Sequence, residues 1–493
     1  MQVVPTMADM AWLAPELTLT VGLLILLIGG LFVPRDRQSA IVWAGFVVLG
    51  ATLAALVPQA GRDVTIANGV FAVDGFAVFI KVIAIVAAMI TLETSRHWLT
   101  IEGVRATEYV VLVMTATLGM MVMASGVDLV TMFIGLETMA VSFYVMVGYL
   151  KPNRRSNEAA LKYFVLGTFS TGVLIYGMAW TYGLAGSTRI ADIAIAAASP
   201  EGSIVAWRFA IMLLIAGLGF KIAAVPFHMW APDVYEGAPT PIASFLSVGS
   251  KAASFAMLIR LMLEAFPSAS SDWRSALYVL AALSMTVGNI AAMTQNNLKR
   301  LLAYSSIAHA GYVTIGLVAA TPRGISASLV YIAVYACMQM GAFAIVTALR
   351  QKGVPGEDLH EFSGLAHRRP WMAFAMLIFM IALGGIPPTA GFMGKMWLFG
   401  AAIDSGYVWL AVIGVANSVL SVYYYARVVM WMWMTPQESE APLPIAPSMA
   451  IAISLAAAAV IIGGLFPDQL FTWAESSARA LGVVSVAPAL TLR

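Results

Sequence analysis

Five ionisable residues interrupt long apolar stretches of the sequence. They are Glu137, Lys221, Lys251, His309 and Lys395. A charge at the centre of a lipid bilayer costs at least about 2.5–3.5 kcal/mol on insertion scales, so each such residue needs a partner, water or a function. One acid, three lysines and one histidine, spread over five apolar segments, form a set that is suited to binding protons and passing them on.

Desolvation explains how such residues can move protons. A lysine in apolar surroundings loses its preference for the charged form, and a nearby carboxylate restores it. A lysine that gains or loses an acidic partner can therefore bind or release a proton, and histidine can relay protons near neutral pH. The alternative is a set of static ion pairs that fix helix packing. It suits Glu137 with Lys221 better than Lys251 or Lys395, which have no acid close by in their own apolar segments.

The composition indicates that the chain lies in a membrane. Of its 493 residues, 61% are hydrophobic and only 11% are charged, which is more apolar surface than a soluble protein of this size can bury. A net charge of +2 excludes a nucleic-acid-binding surface. Cys337 is the only cysteine and His309 the only deeply placed histidine, so neither a cysteine-ligated iron–sulfur cluster nor a bis-histidine haem is expected.

Apolar runs of about 20 residues are long enough to span the hydrocarbon core of a bilayer. The sequence predicts an all-α integral membrane protein with about fourteen such helices. A short interfacial segment is expected after Pro467. The predicted spans are residues 13–33, 40–57, 76–94, 106–123, 127–149, 157–184, 205–225, 239–265, 273–293, 298–319, 325–349, 370–403, 407–433 and 447–466.

Two of these helices contain proline breaks beside a lysine. The seventh meets Pro226 soon after Lys221, and the twelfth contains two prolines within residues 384–391, just before Lys395. Proline removes an amide donor and frees a carbonyl, which membranes tolerate only where the break faces protein or water. Breaks at corresponding places in two halves are typical of inverted-repeat transporters. The pattern therefore predicts two inverted five-helix repeats and two broken helices.

The predicted repeats divide the chain into four parts. Residues 1–104 hold the first three helices, and residues 105–265 hold helices four to eight as the first repeat. Residues 273–433 hold helices nine to thirteen as the second repeat, and residues 434–493 hold the last helix and the interfacial tail. Each repeat is about 160 residues long, which is consistent with a duplication.

Positive charge in the loops predicts the orientation. By count, about 13 Lys and Arg lie on one side of the membrane and about 7 on the other, and the richer side is cytoplasmic. Both termini are then expected on the non-cytoplasmic side. The richer side comprises Arg35, Arg37, Arg96, Arg105, Lys151, Arg154, Arg155, Lys299, Arg300, Arg350, Lys352, Arg368 and Arg369.

Other residues near predicted helix ends have simpler interpretations. Lys81 and Lys162 lie within about two turns of an end and can extend to the interface. Lys162 also faces the loop that would admit cytoplasmic protons, so a functional role stays open. Arg260 is expected to anchor a helix end. The aromatic and Met-rich run at residues 423–433 is expected to form an interfacial belt.

Three motifs resemble those of a known family. Residues 227–241 read FHMWAPDVYEGAPTP and precede Lys251, residues 297–312 read NLKRLLAYSSIAHAGY, and residues 385–395 read GIPPTAGFMGK. They resemble the seventh-to-eighth, tenth and broken twelfth helices of subunit N of proton-pumping NADH:quinone oxidoreductase, respiratory complex I. The resemblance spans nearly the whole chain, including the number of helices.

The resemblance implies a proton-translocating membrane subunit of a translocase that couples electron transfer from NADH to quinone to proton transport. Glu137 and Lys221 would form a modulating ion pair, and Lys251 would be the central proton carrier.

On the same basis, Lys395 would be the carrier on the exit side. His309 and Tyr304 would lie between the two carriers, and Lys162 would lie near the point of proton uptake.

The resemblance also implies the partners and the location. FMN, iron–sulfur clusters, NADH and quinone would belong to other subunits, with no cofactor in this chain. Membrane subunits M, K, J and A, the lateral helix of L, and lipid would cover its surface. The location would be the inner membrane of a bacterium.

Two alternatives stay open. Related chains include subunits L and M and the subunits of multi-subunit cation/proton antiporters, and a static structural membrane subunit is a third class. Lys251 favours subunit N, because L and M are histidine-rich in helix eight. Lys395 also favours N, because M typically has a glutamate there, and this chain has no long lateral helix like that of L. Co-purification with flavin and iron–sulfur partners, or with antiporter subunits, would separate the first two classes.

The loop charges give a first testable prediction. Reporter proteins fused after Arg155 and after Arg323 are expected on opposite sides of the membrane, with Arg155 in the cytoplasm, because the basic loops stay inside. Alkaline phosphatase and green fluorescent protein fusions measure this directly. Reporters on one and the same side would contradict the predicted topology.

Overall fold

The computed structural model describes residues 7–34, 37–198, 203–350, 356–436 and 445–482. Within these ranges, 13 helical spans are long and apolar enough to cross a membrane, and Pro370–Gly384 is a shorter apolar helix. The N-terminal elements are α1 (Met7–Trp12), α2 (Ala14–Gly29), α3 (Gln38–Ala55), a hairpin of β1 (Val64–Ile66) and β2 (Phe71–Val73), and α4 (Gly75–Glu102).

The remaining helices follow in two groups and a C-terminal pair. The first group is α5 (Ala106–Ser125), α6 (Leu129–Val147), α7 (Arg154–Ala185), α8 (Ile190–Ala198), α9 (Ile204–Lys221), α10 (Trp230–Gly237), α11 (Thr240–Phe245) and α12 (Lys251–Arg260). The second is α13 (Ser270–Ala292), α14 (Leu298–Ala319), α15 (Pro322–Leu349), α16 (Leu365–Arg368), α17 (Pro370–Gly384), α18 (Ala390–Asp404) and α19 (Val408–Met434). The pair is α20 (Pro447–Leu465) and α21 (Asp468–Arg479).

Glycines bring the first two helices of each group into close contact. In the α5–α6 pair, a Cβ on Gly135 would lie 2.7 Å from the amide nitrogen of Met123, and one on Gly119 would lie 2.6 Å from the carbonyl oxygen of Gly135. In the α13–α14 pair, a Cβ on Gly288 would lie 2.7 Å from the amide nitrogen of Ala308. Because lipid tails are as apolar as leucine, membrane helices associate through such close backbone packing rather than through the hydrophobic effect.

Each of the two predicted breaks separates one helix from the next. The α9 helix ends at Lys221 and α10 begins at Trp230, while α17 ends at Gly384 and α18 begins at Ala390. Gly385 ends α17 with φ of 78°, a left-handed conformation that glycine adopts without a Cβ penalty. The prediction of a broken helix over residues 370–403 is therefore confirmed, because two prolines and a left-handed glycine divide the span into α17 and α18.

The helix that carries Lys251 is continuous but irregular. A π-turn over Leu246–Ser250 joins α11 to α12, and a second π-turn over Leu261–Ala265 follows α12. Lys251 is the first residue after the first π-turn. Such turns are rare and often lie at functional sites. This helix is also enclosed entirely by protein.

The described C-terminal segment folds back over the N-terminal part. The α21 helix packs on α4, where the rings of Phe79 and Trp473 are 4.4 Å apart, and on the second group, where the rings of Trp397 and Phe471 are 4.5 Å apart. The sequence indicated a short helix after Pro467 but not these contacts.

Other boundaries and counts differ from the sequence expectations. The α4 helix continues to Glu102, beyond the predicted end at residue 94, because its last turns, which are more polar, pack on α5. Arg35, Lys352 and both chain termini lie outside the described residues. The count of fourteen spans and the duplication stay predictions.

The glycine contacts yield a stability prediction. Gly135→Ala is expected to destabilise the α5–α6 pair by about 1–3 kcal/mol, since the added methyl group meets backbone that can only move apart. Thermal unfolding of the purified protein complex, with the loss of this subunit as the readout, measures the effect. Gly172→Ala on α7 is the control, because a Cβ there meets nothing within 4 Å. Equal stability of the two variants would contradict the packing.

Candidate functional site

Glu137 and Lys221 form the first part of the site. Glu137 lies on α6 and Lys221 is the last residue of α9. Glu137 Oε1 and Lys221 Nζ are 3.9 Å apart, which confirms their predicted proximity. Thr171 of α7 bridges them, because its hydroxyl donates to Glu137 Oε1 at 2.9 Å and accepts from Lys221 Nζ at 3.3 Å. The two charges are therefore linked mainly through this hydroxyl.

Lys251 is buried and is held by neutral oxygens. Its Nζ donates to the Ser306 carbonyl at 2.7 Å and to Ser306 Oγ at 2.6 Å. Among the described residues, no carboxylate lies within ion-pair distance of it. A cavity of about 10 Å³ is bounded by Lys251, Ser306, His309 and Tyr335, which is at the lower limit of the space that one water molecule needs.

His309 of α14 lies between two tyrosine hydroxyls. Its Nδ1 is 2.7 Å from the hydroxyl of Tyr331, and its Nε2 is 3.1 Å from that of Tyr425. The Tyr425 hydroxyl is also 2.6 Å from Ser305 Oγ. Each of these groups can both donate and accept, so the direction of the hydrogen bonds can reverse as protons move.

Lys395 is buried where the break in the twelfth predicted helix frees backbone carbonyls. Its Nζ donates to the carbonyls of Leu383 and Gly384 at 3.0 and 3.1 Å, which close α17 and have no amide of their own helix to accept from. It also donates to Ser418 Oγ at 2.9 Å and lies 4.7 Å from the ring centre of Tyr312. The negative end of a helix dipole and these oxygens together offset part of the cost of burying the ammonium group.

Buried polar side chains surround Lys395 on the side of α13 and α19. The Tyr424 hydroxyl donates to Asn289 Oδ1 at 2.9 Å, and Asn417 Nδ2 donates to Thr286 Oγ1 at 3.2 Å. The rings of Tyr424 and Tyr425 are 4.3 Å apart. Polar groups therefore connect the surroundings of His309 to those of Lys395.

Lys162 belongs to a network of ion pairs near the start of α7 and α14. Its Nζ is 2.8 Å from Glu158 and 2.9 Å from Asp233 of α10. Arg300 contacts the other oxygen of Asp233 at 2.8 Å and Glu236 at 2.9 Å. Burial raises the pKa of Asp233, but hydrogen bonds from Lys162 and Arg300 outweigh this and hold it below its usual value. Asp233 therefore stays ionised at neutral pH and ties α7 to α14.

Two charged residues with simple expected roles have different environments. Lys81 does not reach an interface: it is fully buried, and its Nζ is 2.7 Å from Glu16 of α2. Arg260 is likewise buried and pairs with Asp74 and Glu264, each at 2.9 Å. The expectation for Lys81 was wrong, because helix depth was inferred from distance along the chain, whereas the neighbouring helix α2 supplies an acid that the sequence does not place. The role of Arg260 as an anchor of a helix end stays a prediction. Of its two acids, Glu264 lies one turn further along its own helix and Asp74 lies at the start of α4.

Sequence reasoning also missed several site residues. Thr171 gave little signal, because α7 also carries Thr168 and Thr181 and nothing in the sequence distinguishes the three. Tyr424 and Tyr425 were assigned to an interfacial belt, but both are buried. Tyr304, expected with His309 between Lys251 and Lys395, lies with its ring 5.9 Å from the Arg300 guanidinium. The hydroxyls that contact His309 belong to Tyr331 and Tyr425.

The arrangement can hold and transfer protons. Among the described residues, no group of three or more His, Cys, Asp and Glu is placed to hold a metal ion. Three lysines, one carboxylate, one imidazole and the hydroxyls between them are the groups that can change protonation or reorient a hydrogen bond.

Comparisons with known proteins agree with this chemistry. Residues 126–421, more than half of the chain, match the family profile described as NADH:quinone oxidoreductase/Mrp antiporter, TM. NADH-quinone oxidoreductase subunit N of Trichlorobacter lovleyi is 46% identical over 419 residues, which are 85% of this chain and 86% of that protein. The chain belongs to the subunit N family. Subunit N of Rhodospirillum rubrum is 42% identical over 422 residues, 84% of this chain and 86% of that protein.

Solved structures share the fold of this subunit N family member. A chain of respiratory complex I from Thermus thermophilus with bound Aureothin is 32% identical, with a TM-score of 0.80 over 94% of this chain and 100% of that one. A chain of the Mrp complex from Dietzia has a TM-score of 0.81 at 21% identity, over 95% and 97% of the two chains. The latter similarity is one of fold. Family and fold together make the chain a multi-pass membrane protein.

The bridge at Thr171 gives a prediction. Thr171→Val keeps the shape but removes the hydroxyl between Glu137 and Lys221, and a hydrogen bond to a charged group contributes about 1.5–3 kcal/mol. Proton translocation in membrane vesicles is therefore expected to slow by about tenfold, with normal assembly. Thr181→Val is the control, since that buried threonine bonds only to the carbonyl of Gly177 in its own helix. Unchanged translocation in Thr171→Val would show that the bridge has no role.

Proposed function

We propose that this chain translocates protons as a membrane subunit of NADH:quinone oxidoreductase, complex I. The observation that supports this proposal is that Lys251 and Lys395 are buried beside neutral oxygens. No described carboxylate lies within ion-pair distance of either. In that environment the charged and neutral forms of a lysine differ little in free energy. A small change nearby therefore decides whether the lysine holds a proton.

The proposed roles follow the contacts along the helices. Glu137 and Lys221 act as a modulating pair, in which a stronger or weaker contact changes the field at the next lysine. Lys251 is the central carrier, and His309 relays protons through the hydroxyls of Tyr425 and Tyr331. Histidine suits this role because its two ring nitrogens can accept a proton on one side and release one on the other.

Lys395 receives the proton at the far end of this connection. Its backbone partners exist only because α17 ends at the break, so the break supplies acceptors that a regular helix lacks. Lys162 lies in the ion-pair network at the start of α7, where we propose that protons are taken up. Tyr304 was predicted between Lys251 and Lys395; because it lies beside Arg300 in the region of Lys162, we propose that it transfers protons in that uptake step instead.

The proposal extends to architecture and orientation. Residues 105–265 and 273–433 form two inverted five-helix repeats, which is supported by the glycine-packed pair that opens each and the broken helix in each. Residues 1–104 and 434–493 lie outside the two repeats. Both termini lie on the non-cytoplasmic side of a bacterial inner membrane, as the loop charges indicate.

The proposed partners are those of complex I. The chain carries no redox centre, while FMN, iron–sulfur clusters, NADH and quinone belong to other subunits. Subunits M, K, J and A and the lateral helix of L cover part of its surface. A cation/proton antiporter subunit shares the fold, but the relatives of 42–46% identity carry the name of the oxidoreductase subunit. Co-purification with flavin and iron–sulfur subunits tests this assignment, and co-purification with antiporter subunits alone would overturn it.

Substitution of the two lysines tests the mechanism. Lys251→Met and Lys395→Met are expected to leave assembly intact and to slow proton translocation by at least about tenfold, since positioned proton-transfer groups contribute about 10²–10⁴-fold. Methionine has a similar length but cannot bind a proton. Quinone reduction should slow in parallel, because redox chemistry and pumping are coupled. Proton uptake and NADH:quinone activity in vesicles measure both effects.

Two further variants separate a carrier from a static ion. Lys251→Arg and Lys395→Arg keep the charge but cannot release a proton, so both are expected to impair translocation. Lys151→Met, in an exposed loop, is the control for the same chemical change. A static scaffold predicts the opposite order, with Arg tolerated and Met disruptive to assembly. Full proton pumping in the Met variants would contradict the proposed role of Lys251 and Lys395 as proton carriers.

A further inference from the structure

A basic cavity lies outside the proton-transfer site, between α3, α4, α5 and α20. Its volume is about 570 Å³, and its lining includes Gln38, Ser39, Arg96, His97, Arg105 and Ala446. It opens on the side that we infer to be cytoplasmic, where the loops after α2 and α4 carry their basic residues. Among the described residues that line it, none is acidic.

The charged groups of the cavity are arranged for an anion. Arg96 is half-buried, with its guanidinium 4.7 Å from the ring of Trp43 and its Nη1 3.2 Å from Ser448 Oγ at the start of α20. Its one acidic contact is Glu93, in the preceding turn, at 3.3 Å. Arg105 is exposed at the mouth. An anion in the cavity therefore meets two guanidinium groups and the His97 ring.

Three long helices also begin at this cavity. The α3 helix begins at Gln38, α5 at Ala106 and α20 at Pro447, next to Ala446 in the lining. The start of a helix carries a partial positive charge from its free amides. One of these amides, that of Ala106, donates to Gln38 Oε1 at 3.0 Å. The dipoles of the three helices add to the positive potential of the arginines, and the negative end of α4, which ends at Glu102 beside the lining residue Gly103, offsets part of it.

An apolar surface leads from the cavity along α3. Ser39 lines the cavity, and Trp43 and Val47 follow at intervals of four residues, which places all three on one face. Trp43 is 51% exposed and Val47 is 71% exposed. On α20, Ile451 and Leu455 are similarly spaced and exposed at 59% and 66%. A molecule with a phosphate at one end and hydrocarbon at the other matches this combination.

We propose that the cavity binds the headgroup phosphate of an anionic phospholipid, with an acyl chain along the α3 surface. Basic pockets between membrane helices on the cytoplasmic side have this chemistry. A zwitterionic headgroup fits less well, because its ammonium group would be repelled by Arg96, His97 and Arg105. Free phosphate shares the headgroup chemistry but would make no use of the apolar face. This inference is independent of the proposed proton pathway.

Photo-crosslinking in the intact complex tests the site. The complex is placed in nanodiscs that contain phosphatidylglycerol with a diazirine on one acyl chain, and crosslinks are mapped by peptide mass spectrometry. We expect labelling of the α3 peptide around Trp43 and Val47. Arg96→Gln/Arg105→Gln should reduce it by about thirtyfold, since each basic group near an anionic lipid contributes about 1 kcal/mol. Arg105→Gln alone, a change at an exposed side chain, should reduce it by about fivefold.

Controls distinguish the sources of the phosphate. Arg189→Gln/Arg208→Gln makes the same change in charge at exposed arginines elsewhere and should leave the labelling unchanged. A phosphatidylcholine probe should label weakly, and added inorganic phosphate should not compete. Equal labelling in wild type and Arg105→Gln, equal labelling by the two lipids, or loss of labelling with inorganic phosphate would each overturn the proposal.

Discussion

A lysine ammonium that is taken out of water must be given oxygen atoms, and this requirement accounts for much of the structure around the site. Lys395 takes them from the two carbonyls at the end of α17 and from Ser418. Lys251 takes them from Ser306, a residue of another helix. In both places the acceptors are neutral, which leaves the cost of the charge only partly offset. In the proposed mechanism, that incomplete compensation is what allows a proton to leave.

The same requirement explains why irregular backbone lies beside the lysines. A regular helix has no free carbonyl in its middle, so a lysine there depends on side chains alone. The break between α17 and α18 frees carbonyls at membrane depth, and the π-turn before Lys251 alters the direction in which that side chain leaves its helix. Such backbone is tolerated because protein, rather than lipid, surrounds it. The fully enclosed α11–α12 helix and the heavily buried α14 provide that surrounding.

Fully paired charges have a different place in the molecule. Lys81 with Glu16 and Arg260 with Asp74 are buried pairs with short contacts, and each includes a residue of the N-terminal elements. Buried pairs of this kind resist the loss of one partner, so they fix α2 and the hairpin against α4 and α12. The 3.9 Å separation of Glu137 and Lys221, with Thr171 between them, is looser. The structure thus contrasts pairs that hold helices together with one pair that can adjust.

The sequence by itself determined that the chain spans a membrane, where most helices lie, that two of them break, and that five ionisable residues lie within apolar segments. These properties depend on local composition and on proline, and the resemblance to the subunit N family rested on contiguous motifs. Tertiary structure decided the partners: Thr171 between Glu137 and Lys221, Tyr425 beside His309, and acids beside Lys81 and Arg260. Such contacts join residues far apart in the chain, and apolar helices that face lipid and protein alike carry no periodic signal of which face turns inward. The rotation and packing of the helices therefore had to be known before the contacts within the site could be assigned.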